Sequence, residues 1–418
     1  MTRTYSFRDG GLHSPLLRGL NVVGSALATV GLRLTSLEPD ALVDAAVRRA
    51  GSSDLGSDSY REPLERYCDS LESQARLSSF GRMALRGTIV SALTTRIELQ
   101  TWTKANPGAQ QEKILRPWII IGLPRTGTSL LSQLLALDPL ARAPLQWETR
   151  SPVPPSSLSG ATEDPRIAKC AAQLARIAKL NPAIAAMHPF GAMLAEECVP
   201  FFMLDLRTLG METQALVQDY GQWLQACDMT PAYEQHRLAL QALQTGQPTQ
   251  HWVLKTPNHL WALDTLLTFY PDARLVWTHR DPGPVVTSVA SLNTTLQRTF
   301  SDRVDHVAVG RDWKNKLEHA VDLGMAYDDR AEPGWCVHVS YAELMRSPLA
   351  AIRAIYAHFE DLPSRLHERR VEVWLEERHQ SVHGRHGYDP ADFGWSYDGL
   401  AEEFQSYRDR YGIEPEKR

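Results

Sequence analysis

At 418 residues the chain can bury a large core, as one big α/β domain or two smaller ones. Its 49 acidic residues against 44 lysines and arginines give a formal net charge of −5, which argues against a nucleic-acid partner and leaves room for a local basic pocket around a small anion. Five scattered cysteines (Cys68, Cys170, Cys198, Cys227 and Cys336) show no C-x-x-C spacing, which argues against a disulfide framework or a structural zinc site and fits a reducing compartment.

The N-terminal stretch LRGLNVVGSALATVGLRL is bracketed by Arg18 and Arg33 and broken by glycines. It is too short to span a bilayer and makes a poor signal peptide, so no transmembrane segment is expected here. It reads as a helix packed on the domain, with an interfacial helix touching lipid or a greasy substrate as the rival reading. Pro39 suits the first turn of a helix running to Ala50, with Gly51 as its stop. Leu42, Ala46 and Ala50 share one face of it. Further helices are expected over about 62–75 and 79–104, the latter broken by Asn106-Pro107-Gly108. Residues 1–110 therefore read as a helical N-terminal region.

The character then changes. Trp118-Ile119-Ile120-Ile121 is a short continuous apolar run, the pattern of a strand buried on both faces. GLPRTGTS (122–129) follows, and then the helical LLSQLLAL. Strand, glycine-containing loop and helix form the context of a phosphate-binding loop, but Thr128 stands where the usual lysine would be. Backbone amides from Arg125 to Ser129, including Gly127, would cradle an anion at the helix start. Thr126, Thr128 and Ser129 add hydroxyls, and Arg125 restores the missing cation with a planar fork of donors.

After the proline-rich loop SPVPPSS, a long helical insertion is expected over about 151–245. Three more strands follow, at 251–254, 274–278 and 335–339. Strands separated by helices predict a parallel sheet flanked by helices, with the insertion covering the C-terminal edge of the sheet. The strand ends carry Lys255 and Arg280 where a magnesium-dependent kinase would place an aspartate. Asp281 precedes Pro282 and reads as a cap. In RDPGPVVTS, Arg280 leaves the strand and Ser288 lies eight residues on, along the next helix, so the two could converge on a second phosphate.

Two phosphate subsites, no evident metal ligand and a phosphate loop without lysine resemble the sulfotransferases, above all the bacterial branch that carries LPRTGTSLL. PRTGTSLLSQLLALDP is similar to their 5′-phosphosulfate loop and helix, and RDPGPVVTSV to their 3′-phosphate segment. The tyrosylprotein sulfotransferases share the motif layout. The matching motifs run from about 117 to 395, within a core at 117–400 and a single sulfotransferase domain over 1–418. The resemblance implies a P-loop-like α/β fold and 3′-phosphoadenosine 5′-phosphosulfate (PAPS) as donor. It also implies adenosine 3′,5′-bisphosphate (PAP) as product, no required metal, and a small-molecule or lipid hydroxyl as acceptor. Arg125, Lys255 and the amides near Thr128 would stabilise charge growing on the bridging oxygen.

For the general base there are three candidates, the first two drawn from the resemblance. Glu148, in APLQWET, lies where some relatives carry a catalytic glutamate. His259, in VLKTPNHL, follows Lys255 as a histidine follows a comparable lysine in the cytosolic enzymes. Glu196 and Glu197 form an acidic pair within an apolar stretch. In SVHGRHGYDPADFGW, Arg385 would reach the 3′-phosphate from a late loop; a metal site at His383 and His386 is the competing reading. The alternatives to sulfuryl transfer are a P-loop nucleotide kinase, a non-catalytic binding module, and sulfonation followed by elimination of sulfate. The expected location is cytoplasmic. The acceptor's identity and the oligomeric state are not legible.

Overall fold

The structure, a computed structural model, describes residues 4–158, 164–187, 191–247, 251–378 and 385–416. Helices α1 (Pro15–Thr29), α2 (Pro39–Ala50), α3 (Arg61–Ser73) and α4 (Ser79–Ala105) build the N-terminal region. Its boundaries follow local chemistry. Pro39 opens α2, and Gly51, at φ 69°, ends it in the left-handed conformation that glycine adopts without steric cost. The 27-residue α4 is started by the Ser78 side chain accepting from the Gly81 amide and is closed at Asn106. By contrast, α1 docks only through a narrow stripe at Asn21 and Gly24, while Leu16, Val22 and Val23 face outward.

The sheet contains β2 (Trp118–Gly122), β3 (Ala141–Arg142), β4 (His251–Lys255), β5 (Arg274–His279) and β6 (Cys336–Ser340), all parallel, in the order β3-β4-β2-β5-β6. A two-residue parallel ladder pairs β1 (Thr4–Tyr5) with β7 (Arg385–His386). Strand β2 lies between β4 and β5 and is buried at all five positions, so its unbroken apolar run meets helices on both faces. Its odd and even residues feed two separate cores. Ile119 and Ile121 join the large cluster under the N-terminal helices and the insertion, whereas Trp118 and Ile120 pack toward the opposite layer.

Helix α5 (Thr128–Leu135) follows β2 directly, and α6 (Gln146–Arg150) follows β3. The insertion expected as one long helical region is instead six pieces: α7 (Pro165–Leu180), α8 (Pro182–Met187), α9 (Val199–Met203), α10 (Leu209–Glu212), α11 (Gln218–Ala226) and α12 (Thr230–Gln244). Prolines at or next to the first residue of α7, α8, α9 and α12 set the breaks, because proline is tolerated in a first turn and disruptive further in. Helix α13 (Leu263–Phe269) links β4 to β5; α14 (Pro282–Phe300) and α15 (His306–Asp328) follow β5, and α16 (Tyr341–Arg346) starts where β6 ends. Among the described residues no helix is long and apolar enough to cross a membrane.

Candidate active site

Because the sheet is parallel, β2, β4, β5 and β6 all end on one edge. There they deliver the GLPRTGTS loop, Arg280 and Tyr341 to a single cavity of about 1080 Å³, with Lys255 buried just behind its wall. The loop is shaped by three positive φ angles. Gly122 sits at 131°, with the Thr278 carbonyl 2.8 Å from where a Cβ would be. Gly127 sits at 88° and N-caps α5. Arg125 takes 69°, uncommon for a side-chain-bearing residue, and its backbone carbonyl accepts from Arg280 Nη1 at 2.7 Å. The loop leads to one point, the start of α5, whose first amides have no intrahelical acceptor.

Side chains then converge on that point. Arg125 Nε donates to Ser288 Oγ at 3.2 Å, and its Nη1 donates to the Met187 carbonyl at 3.0 Å. Burial, with the neighbouring Arg280 charge, lowers the Arg125 guanidinium pKa, which nevertheless stays protonated at any working pH. Lys255, only 4 % exposed, donates to Ser129 Oγ at 3.2 Å and forms an ion pair with Glu197. Arg280 lies over the Tyr341 ring at 4.2 Å and is gripped by the Glu416 carboxylate at 2.5 and 3.0 Å. Burial alone would depress the Arg280 pKa; the bond to Glu416 and the electron-rich neighbours outweigh it and raise it.

The expected residues separate into two groups. Arg125, Gly127, Thr128, Ser129 and Arg280 line the cavity, with Lys255 and Ser288 buried just behind them. Thr126 shapes the loop instead: its fully buried hydroxyl donates to the Leu123 carbonyl or shares a 2.7 Å hydrogen bond with Thr278. Glu148 does not line the cavity. Its carboxylate is used in the fold, accepting from Arg142 at 2.7 Å and from the Leu145 amide at 3.0 Å, where it satisfies the start of α6. Neither does His259, which is fully buried and shares a 2.8 Å hydrogen bond with the Tyr233 hydroxyl. Glu196 and Glu197, by contrast, both line it. The Arg385 backbone is in β7; its side chain and all of His383 lie outside the described residues. His386, half-buried, shares a 2.9 Å hydrogen bond with Ser291.

Two further residues belong to the site. Tyr341 is the first residue after β6, so the rule that ligands gather at the C-terminal ends of parallel strands would have pointed to it. Glu416 had no local signal. Its placement depends on a chain reversal after α20 (Gln405–Tyr411), reached through α17 (Pro348–His358), α18 (Arg365–Arg378) and α19 (Tyr397–Glu403), with Gly412 at φ 58°. The Glu416 amide donates to Asp281 at 2.8 Å, and Asp281 also accepts from the Gly283 amide as the cap of α14. Neither strand beside β2 presents a carboxylate at its end of the kind that holds magnesium in a nucleotide kinase.

The GLPRTGTS turn, with Arg125, Lys255 and Arg280 around it, thus stands at the C-terminal edge of a parallel sheet. Residues 117–363 match the model of the sulfotransferase family, and the chain belongs to that family. Its fold is similar to sulfotransferase STF9 from Mycobacterium avium, with a TM-score of 0.82 and 29% identity over 91% of this chain and 98% of the other. It is also similar to sulfotransferase STF1 from Mycobacterium tuberculosis, with a TM-score of 0.79 and 28% identity over 88% and 98%. No curated protein matches by sequence.

Proposed function

We propose that this sulfotransferase moves a sulfuryl group from PAPS to a hydroxyl on a small-molecule or lipid acceptor with a largely apolar body. The observation that carries this reading is the cluster of Arg125, Ser288 and Arg280, joined at 3.2 and 2.7 Å. It offers two adjoining anion subsites made of protein cations and hydroxyls. The 3′-phosphate pairs with Arg280 and Ser288; the 5′-phosphosulfate lies on the loop amides, Thr128 and Ser129. Much of the remaining wall is apolar, with Val199, Met203, Leu209, Leu292, Leu296 and Trp313, and this supports a greasy acceptor.

The bond from sulfur to the donor's bridging oxygen breaks as the acceptor oxygen attacks sulfur in line. Lys255 and Arg125 stabilise the negative charge left on the bridging oxygen. The acceptor proton passes to Glu197, the cavity carboxylate already held beside Lys255. Donor binding draws Lys255 toward the phosphosulfate and frees Glu197 for that role. The chain acts in the cytoplasm, where the donor is made, and transfer itself needs no metal.

Calorimetric titration with PAP in EDTA tests the donor assignment. Tight binding is expected, and Arg280→Ala should weaken it roughly 10–100-fold, the equivalent of about 1.5–3 kcal/mol for a charge-assisted hydrogen bond. Binding of ATP with magnesium but not of PAP would overturn the reading in favour of a kinase.

A further inference from the structure

We propose that Cys198, His236 and His259 form a buried site for one thiophilic d10 cation, Cu(I) in preference to Zn(II), beneath the floor of the cavity. The three residues come from the start of α9, the middle of α12 and the turn after β4, and all are fully buried. Their potential ligand atoms lie within 4.8 Å of one another. Ligand bonds of about 2.0–2.3 Å place donors roughly 3.5–4 Å apart, so closing on an ion requires no more than about 1 Å of side-chain movement.

The hydrogen bonding points the same way. His236 Nδ1 shares a 2.7 Å bond with the Tyr270 hydroxyl, and His259 Nδ1 a 2.8 Å bond with the Tyr233 hydroxyl. The Nε2 of each ring has no partner. A buried imidazole oriented through one nitrogen, with the other left bare, is the arrangement of a metal-bound histidine whose second nitrogen donates to an outer partner. Two unpaired Nε2 atoms in a dry core are otherwise unfavourable. Phe202 stacks on His236 at 5.1 Å and 17°, which fixes the ring plane.

Charge selects the ion. Cys198 would bind as the thiolate, its S–H proton leaving as the sulfur–metal bond forms. Cu(I) with one thiolate and two neutral imidazoles is uncharged overall and suits three ligands, whereas Zn(II) would leave a positive charge in the core and a ligand position unfilled. The charged groups that act on Cys198 are Lys255, which is paired with Glu197, and Glu196. The Cys198 amide donates to the Lys255 carbonyl at 2.9 Å, so an ion here would pin the backbone carrying both Glu197 and Lys255.

The test is to reconstitute the full chain anaerobically with Cu(I), and separately with Zn(II), wash with a weak chelator and count metal per chain. Retention of about one Cu(I) is expected, with X-ray absorption showing one sulfur and two nitrogen neighbours. Cys198→Ala should lower retention more than 10-fold, and Cys227→Ala should leave it unchanged. Loss of copper from the wild type on washing, coordination without sulfur, or equal retention by Cys198→Ala would each overturn the site. Retention of Zn(II) but not Cu(I) would overturn the choice of ion. The absorption spectrum of the wild type decides the matter even if Cys198→Ala does not fold.

Discussion

Glu148 and Glu197 show how far single residues can be read from sequence. Both are glutamates near basic residues, and the resemblance to relatives with a catalytic glutamate put Glu148 first. Folding assigns that carboxylate to Arg142 and the first turn of α6 and leaves Glu197 at the cavity wall. The cations were easier to read, because Lys255 and Arg280 stand at the ends of apolar strands and such ends gather at one sheet edge. A kinetic comparison separates the two glutamates. With saturating donor, Glu197→Gln is expected to lower kcat about 10²–10⁴-fold, the usual contribution of a positioned base. Glu148→Gln should reduce thermal stability by about 1–3 kcal/mol, since it leaves the Arg142 charge poorly paired, and should change kcat little in the protein that remains folded. Lys255→Ala should reduce kcat with a smaller effect on PAP affinity, because its charge acts mainly in the transition state.

At the scale of elements, the strands and their helices were legible because a buried parallel strand has a simple apolar signature. The insertion was not. Its pieces are held by tertiary contacts that periodicity does not encode, notably the fully buried Lys316 of α15, which pairs with Glu212 of α10 and with Asp312 one turn back. The ligand set of Cys198, His236 and His259 was hidden in the same way, being scattered over three elements far apart in the chain. Lys316 ties the insertion to the helix behind β5. Lys316→Ala is expected to destabilise the fold by about 3–5 kcal/mol, because the buried Glu212 and the part-buried Asp312 would lose their cation. Chemical denaturation of the variant against the wild type measures this directly.

For the whole molecule, pH is the informative variable. Burial holds His279 neutral well below the ordinary histidine range, and burial with the Arg125 charge holds His386 down to about 4. A histidine whose folded pKa is depressed contributes stability that is present above its unfolded value of about 6.5 and lost as pH falls toward the folded value. Burial pushes Glu212 up to about 7 against the pull of Lys316, and it acts in the opposite sense, favouring the fold at lower pH. Denaturation midpoints measured between about pH 7.5 and pH 4.5 should therefore show a histidine-driven loss that is shallower in His386→Gln than in the wild type. One contact made far along the chain also has a temporal consequence. With Glu416 clasping Arg280, a phosphate cannot reach that guanidinium until the carboxylate leaves, so on the proposed function ligand capture is a displacement. Stopped-flow association rates should then level off at high PAP concentration, at a ceiling set by departure of the tail, and Glu416→Gln should lift that ceiling. The chain supplies that arginine with a temporary anion of its own, and the place opens only when that anion steps aside.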